Sequence, residues 1–195
     1  MFDSEHAGRF DDYQKCSPYL RGPAIYLSWY DSLMFSIWAH GFLPNEWIWE
    51  YASRSGSVND SGEPSIWSWG DDEEILASKA WVSGNSDAPE TGSGIKSDIG
   101  VHAHSVGLKP ANEFGLHDTI GNVWEWCLNR YGSDVSRSLR GGAFDNGTFL
   151  ARCSYRDHCV PSYCVAVMGV ELPGLITLSP PPQAAIADPI TASRA

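Results

Sequence analysis

Asp118 and Glu125 flank Gly121 and Val123 within the run Asn112 to Cys127, and that spacing suggests one kind of chemistry. Two carboxylates and two turn carbonyls can converge on a single hard cation, since calcium takes roughly six to eight oxygen ligands. The same residues fit a plainer reading, in which Glu125 caps the loop and Asp118 makes an Asx turn, and spacing alone leaves both open. His102 and His104 form an HxH pair without a third candidate ligand nearby, so solvated loop histidines are expected rather than a metal. Cys16, Cys127, Cys153, Cys159 and Cys164 are odd in number and lack CxxC spacing, which favours reduced thiols over a disulfide framework or a zinc ribbon. Ser/His/Asp triads, P-loops, GxGxxG and HExxH are not found.

These residues need elements to hold them. Leu33, Met34, Ile37 and Trp38 recur at helical spacing between Asp31 and Ala39, with Asp31 as a first-turn acid or cap. A second helix is expected with Asn45 as N-cap, Glu46 in its positive first turn, then Trp47, Ile48, Tyr51 and Ala52, ending by Gly56. From Ser57 to Pro110 the chain is rich in Gly, Ser, Asp and Asn with no sustained period, which predicts long loops pinned by Trp67, Trp69 and Trp81. Strand-like runs follow at Asn122 to Cys127, Ser138 to Phe144 and Cys164 to Leu172. Trp124 and Trp126, set apart from Val123 and Glu125 by the two-residue period, read as core anchors.

Composition bounds the function. A chain of 195 residues, 43% hydrophobic, can bury a sizeable core as one unit, and only 19% charged residues with 19 Gly and 12 Pro argue for a loop-rich domain. A formal charge of -11 disfavours nucleic acid and anionic membrane surfaces. With no basic leader and no apolar window long enough to span a bilayer, membrane insertion is not expected and a cytoplasmic location is. Residues 1–23 read as a polar N-terminal arm, 24–177 as the folded domain, and 178–195 as a disordered Pro/Ala-rich tail.

The stretch Gly115-Leu116-His117-Asp118 through Gly121-Asn122-Val123-Trp124-Glu125-Trp126, followed by Arg140-Gly141-Gly142-Ala143-Phe144, resembles the hallmark of the formylglycine-generating-enzyme (sulfatase-modifying factor) domain. Ser28-Trp29-Tyr30-Asp31, Leu43-Pro44-Asn45-Glu46-Trp47-Ile48-Trp49-Glu50-Tyr51-Ala52 and Trp69-Gly70 are similar to that family's upstream motifs, in the same order. The resemblance implies an α+β, C-type lectin-like fold of the formylglycine-generating-enzyme subclass, with two helices, short strands and long loops. It also implies a structural calcium at Asp118, Gly121, Val123 and Glu125; a second family calcium site has no convincing match. The oxidase members use a reactive cysteine pair just beyond the Gly-Gly strand to hold copper. Here no thiol follows Gly142 before Cys153, so no copper and no enzymatic activity are expected.

Leu139 to Leu172 resembles the variable region of diversity-generating retroelement proteins built on this scaffold. Arg140-Gly141-Gly142-Ala143-Phe144, Ala151-Arg152-Cys153-Ser154-Tyr155-Arg156, Pro161 and Met168-Gly169 match its fixed parts; Val170-Glu171 departs from the usual closing GFR, so a shorter last strand is expected. Such systems mutate adenines, and an AAC codon randomised at both adenines never yields Lys, Gln, Glu, Met or Trp. None of these five occurs from Asp145 to Val167. The resemblance implies a ligand-binding display module with a variable region of about 140–172. Its contacts would be Asn146, Thr148, Phe149, Asp157, His158, Cys159, Val160, Ser162, Tyr163, Cys164, Val165, Ala166 and Val167. Near balance of Arg140, Arg152 and Arg156 against Asp145, Asp157 and Glu171 suits an unknown protein or small-molecule ligand. The alternatives are an oxidase acting on a protein cysteine and a purely structural lectin-like module.

Overall fold

The first helix starts earlier than expected because Ser28 is its cap, and Asp31 takes the other role expected of it, that of the first-turn acid. In the computed structural model, which describes residues 15–90, 100–133, 135–163 and 168–170, helix α1 spans Trp29–Trp38. The Asp31 N–H donates to the Ser28 hydroxyl at 3.2 Å and the Ser28 N–H donates to the Asp31 carboxylate at 2.9 Å, a reciprocal capping box. Of the four residues marked by their helical spacing, Leu33 packs partly on the core beside Trp29. Trp29, Ser32 and Ser36 are buried, while Met34, Ile37 and Trp38 are exposed.

Helix α2 spans Glu46–Arg54, with the expected Asn45 cap accepting from the Ile48 N–H at 2.9 Å. Glu46, Trp49 and Ser53 face inward, and the apolar Trp47 and Tyr51 lie outside. Among its described residues the long middle region contains one short helix, α3 (Leu76–Lys79), and is otherwise looped. Its tryptophans anchor it as expected: buried Trp67 donates its indole N–H to the Ala151 carbonyl at 2.8 Å, and Trp69 stacks on it.

Five strands form one sheet: β1 (Ala24–Ile25), β2 (Trp124–Arg130), β3 (Arg137–Arg140), β4 (Asp157–Cys159) and β5 (Met168–Val170), in the order β1-β5-β2-β3-β4. Among the described strands only the β2–β5 pair is parallel. β5 lies between β1 and β2, so the last described strand closes the sheet against the first. β1 and β4 are too short to show a pattern in sequence. β3 stops at Arg140, short of the expected Phe144, because Gly141 and Gly142 turn the chain with φ of 95° and 77°. A side chain at Gly142 would sit 3.1 Å from the Ala151 Cα in a left-handed backbone conformation, so glycine lets the backbones cross there without strain. Residues Cys164–Val167 of the expected last strand lie outside the described residues, as do the early part of the expected arm and the tail from Glu171 on. The segment from Cys16 to Arg21 is tied into the fold, its carbonyls accepting from Ala103 and Val106 N–H groups.

Trp124 through Cys127 are buried in succession, so β2 is covered on both faces. Trp124 and Trp126 pack with Trp29, Leu43, Leu139 and Ala143, as core anchors should, whereas Cys127 packs with Trp49, Trp67 and Leu76. Among the described residues no helix is long and apolar enough to cross a membrane.

Charge, rather than apolar contact alone, locks α2 to the sheet. The Glu46 carboxylate accepts from the Arg156 guanidinium at 2.5 and 2.7 Å, from the Ser138 hydroxyl at 2.7 Å and from the Asn129 amide at 3.0 Å. Burial pushes the Glu46 carboxyl upward, but Arg156, Ser138 and Arg140 outweigh it and hold the group below the usual carboxylate range. Arg140, only 1% exposed, donates to Glu50 and stands 3.7 Å from Glu46. Arg140→Ala is expected to cost about 3–5 kcal/mol, because it leaves carboxylates short of their buried partner. Urea unfolding measures this, and a loss under about 1 kcal/mol would show that the guanidinium does not hold the helix.

Candidate functional site

The expected cation ligands sit where a loop meets β2. Asp118 and Asn122 adopt left-handed conformations, with φ of 54° and 62°, and Gly121 between them has φ of 77°. A Cβ on Gly121 would lie 2.2 Å from the Trp81 carbonyl oxygen, so that crossing requires glycine. Asn122 is wholly buried and exchanges hydrogen bonds with the His104 backbone at 2.9 and 3.2 Å. The Val123 side chain packs with Ile25, Ala103 and Phe144, leaving only its carbonyl for any ligand role.

The two carboxylates are poorly compensated. Asp118 Oδ2 accepts from the Gly107 N–H at 2.6 Å, while its Oδ1 is buried without a hydrogen-bond partner. Burial pushes Asp118 up, against the pull of the Gly107 N–H, His117 and Lys109. Glu125 accepts from the Trp49 indole at 2.9 Å, and burial, with the Asp118 charge adding, pushes it up to about 7. A cleft of about 70 Å³ lined by Asn112, Glu113, Lys79 and Thr119 opens beside Asp118. Among the described residues no three His, Cys, Asp or Glu side chains converge as a metal-binding group. A cation here would therefore need main-chain carbonyls beside the two carboxylates, a set suited to a hard ion.

His102 and His104 correct the expectation of solvated rings: both are fully buried. Trp81, His104 and His102 stack in turn, at 3.6 and 4.6 Å, with Lys109 over the outer face of Trp81 and Tyr19 against both histidines. The Tyr19 hydroxyl lies 3.0 Å from His102 Nε2. Burial, with the neighbouring His102, drives His104 down to about 4.

The described cysteines are free thiols. Cys127 and Cys153 are fully buried, and burial pushes both thiols upward, as it does Cys159. That is opposite to the electropositive setting that makes a thiolate nucleophile or copper ligand.

The expected contact residues divide into two sets. Phe149, His158, Val160, Ser162 and Tyr163 are exposed. Asn146 is partly buried and its side-chain oxygen accepts from the Ala143 N–H, Thr148 donates to Glu73, and Cys159 packs on the core; Asp157 is half-buried beside His158. Cys164, Val165, Ala166 and Val167 lie outside the described residues. The charge balance expected of this face needs correcting, since Arg140 is buried and Arg156 is engaged with Glu46. Tyr131, which no sequence signal marked, stacks on His158 at 4.2 Å with Arg156 over its ring. Phe149 meets Tyr155 edge to face at 5.5 Å, with Arg152 over it.

The scaffold grips this segment by its main chain. The Asn146 carbonyl accepts from the Ser83 N–H at 3.0 Å, that of Ala151 from the Trp67 indole at 2.8 Å, that of Tyr155 from Arg140 at 2.5 Å, and that of Pro161 from the Trp29 N–H at 3.0 Å.

Residues 5–172 match the model of the sulfatase-modifying factor enzyme 1-like domain. Over 129 residues the chain is 30% identical to an inactive C-alpha-formylglycine-generating enzyme 2 of Bos taurus, covering 64% of this chain and 39% of that one. Over 112 residues it is 34% identical to a formylglycine-generating enzyme of Mycobacterium tuberculosis, covering 56% and 34%. The chain thus spans little more than a third of the curated relatives it matches. PvdO from Pseudomonas aeruginosa superposes with a TM-score of 0.59 at 20% identity over 76% of this chain and 60% of that one, a likeness of fold. Treponema denticola variable protein 1 matches with a TM-score of 0.49 at 27% identity over 65% and 45%.

Glu125 and His104 carry opposite pH signs. Glu125 rises from 4.5 to about 7 on folding, so its contribution is full below pH 4.5 and is lost as pH climbs through 7. His104 falls from 6.5 to about 4, so its contribution is full above pH 6.5 and is lost as pH drops through 4. With a chelator present, wild type should show a shallow stability profile across this window. Glu125→Gln should lose stability on acidification and His104→Phe on alkalinisation, each by on the order of 2–3 kcal/mol in chemical denaturation. Parallel profiles for all three proteins would refute the assignment.

Proposed function

The chain belongs to the sulfatase-modifying factor enzyme 1-like family, and we propose that within it the protein is a ligand-binding display module whose variable region, about residues 140–172, is diversified at adenines. One observation carries the reading: the scaffold holds this segment through the carbonyls of Asn146, Ala151, Tyr155 and Pro161, which every residue type possesses. Side chains at Phe149, His158, Val160, Ser162 and Tyr163 can then change without loosening the fold. The absence of Lys, Gln, Glu, Met and Trp from Asp145 to Val167 supports the same reading. Phe149 and Tyr163, 58% and 50% exposed, would anchor a ligand, since aromatics dominate interface energetics. A protein or small-molecule target fits better than nucleic acid, which the charge of -11 opposes.

Asp118 and Glu125, with the carbonyls of Gly121 and Val123, would hold a structural calcium ion, whose charge would offset the two buried carboxylates. The orphaned Asp118 Oδ1 and the raised Glu125 both fit that role.

An oxidase reading is favoured by relatives named formylglycine-generating enzyme. It would require Cys153, buried beside the Ser53 hydroxyl, to react. Oxidation of a thiol substrate by the purified protein, abolished in Cys153→Ser, would replace the display reading.

The encoding locus tests the main proposal. A near-copy of the segment for residues 140–172 should lie beside a reverse transcriptase gene. Its differences should be at adenines in codons for residues such as Phe149, His158 and Tyr163, and not in those for Cys153, Arg156 or Pro161. A locus without such a copy removes diversification from the reading. For the ion, saturating calcium should raise the melting temperature by about 5–10 °C and release protons near neutral pH, and Asp118→Ala should abolish both effects. An unchanged melting temperature would exclude the site.

A further inference from the structure

Helix α1 turns its large apolar residues outward. Tyr30, Met34, Ile37 and Trp38 are 55%, 64%, 56% and 75% exposed, while Ser32 and Ser36 are fully buried. Their positions form one stripe along the helix, since residues four apart lie on the same face. A helix that places serines inside and Met, Ile and Trp outside is patterned for a surface that still has to be covered.

We propose that a second copy of this chain covers it, through antiparallel packing of α1 against α1 about a two-fold axis. Three observations select that occupant. The stripe is nearly self-complementary: Met34 lies midway between Tyr30 and Trp38, so an axis over Met34 sets Tyr30 of one copy against Trp38 of the other. From Trp29 to Asn45 the only Asp, Glu, Lys or Arg is Asp31, which is held in the Ser28 capping box, so two copies of a chain carrying -11 meet here with little like-charge repulsion. The exposed parts of the four side chains offer on the order of 600 Å² per copy, close to the roughly 800 Å² that a stable interface takes from each partner once its rim is included.

Pairing has a functional consequence. The first N–H of α1, that of Trp29, donates to the Pro161 carbonyl, so the helix is joined to the segment that carries Val160 and Tyr163. A dimer through α1 holds two such segments in one fixed relation, which raises avidity for a repeated target. The dimer does not rest on the display reading, and the two can fail separately.

Sedimentation equilibrium of the purified full chain between about 1 and 100 µM is the test. A monomer–dimer equilibrium is expected in wild type. Trp38→Glu and Ile37→Lys should each weaken it at least about 100-fold, with circular dichroism and melting temperature preserved. Trp47→Glu, an exposed aromatic on α2, should leave it intact. A wild-type monomer at every concentration overturns the proposal and assigns the stripe to another segment of the chain or to a different protein. So does a dimer that survives both α1 variants, or one weakened equally by Trp47→Glu.

Discussion

The buried ion network between α2 and the end of β3 is the constraint on which the rest of the structure depends. Glu46 and Glu50 stand one helical turn apart, and the Arg140 guanidinium lies within reach of both. Each of these charges would be costly alone in this setting, so the network can form only in one arrangement of helix and sheet. Arg156 completes it from the far side of the Gly141-Gly142 turn. The position of α2 therefore sets the path of the chain through residues 141 to 156, and with it the start of β4.

Trp49 couples this satisfied network to an unsatisfied one. Its indole N–H donates to Glu125, and its ring lies under the Arg140 guanidinium at 5.1 Å. On one side of Trp49 carboxylates and arginines neutralise each other. On the other, Glu125 and Asp118 have only neutral donors as direct hydrogen-bond partners, and burial raises both. Among the described residues Asp118 and Glu125 are thus two buried carboxylates without a cationic hydrogen-bond partner, next to a residue shared with the main structural lock.

Much of this was legible in the sequence where local chemistry decides the outcome. The Asn45 cap, the Trp67 anchor and burial of Trp124 and Trp126 follow from residue type and spacing. What could not be read depends on the partner across space. Hydrophobic periodicity marks that α1 has an apolar stripe, but Ser32 and Ser36 face inward because small residues let the helix approach the sheet near β2. His102 and His104 are buried because Trp81 and Tyr19, distant in sequence, provide stacking partners. Tyr131 joins the exposed face only because strand pairing places Ser138 opposite His158.

Tolerance of change in a surface segment requires that its backbone be held by something other than its own side chains. Here the grips fall at Asn146, Ala151, Tyr155 and Pro161, and the Cys153 N–H adds a fifth by donating to the Ile66 carbonyl. No more than five residues separate consecutive grips, fewer than the roughly six to sixteen of an Ω-loop. β4 adds ladder bonds to β3, and these too involve only the main chain. Of its inward side chains, the wholly buried Ala151 and Cys153 are small and sit where the chain crosses Gly142 and Ser53, while Leu150, Tyr155 and Cys159 pack partly on the core and Arg156 reaches Glu46. A segment anchored in this way keeps its course when its exposed side chains differ, because the grips on its main chain do not depend on them.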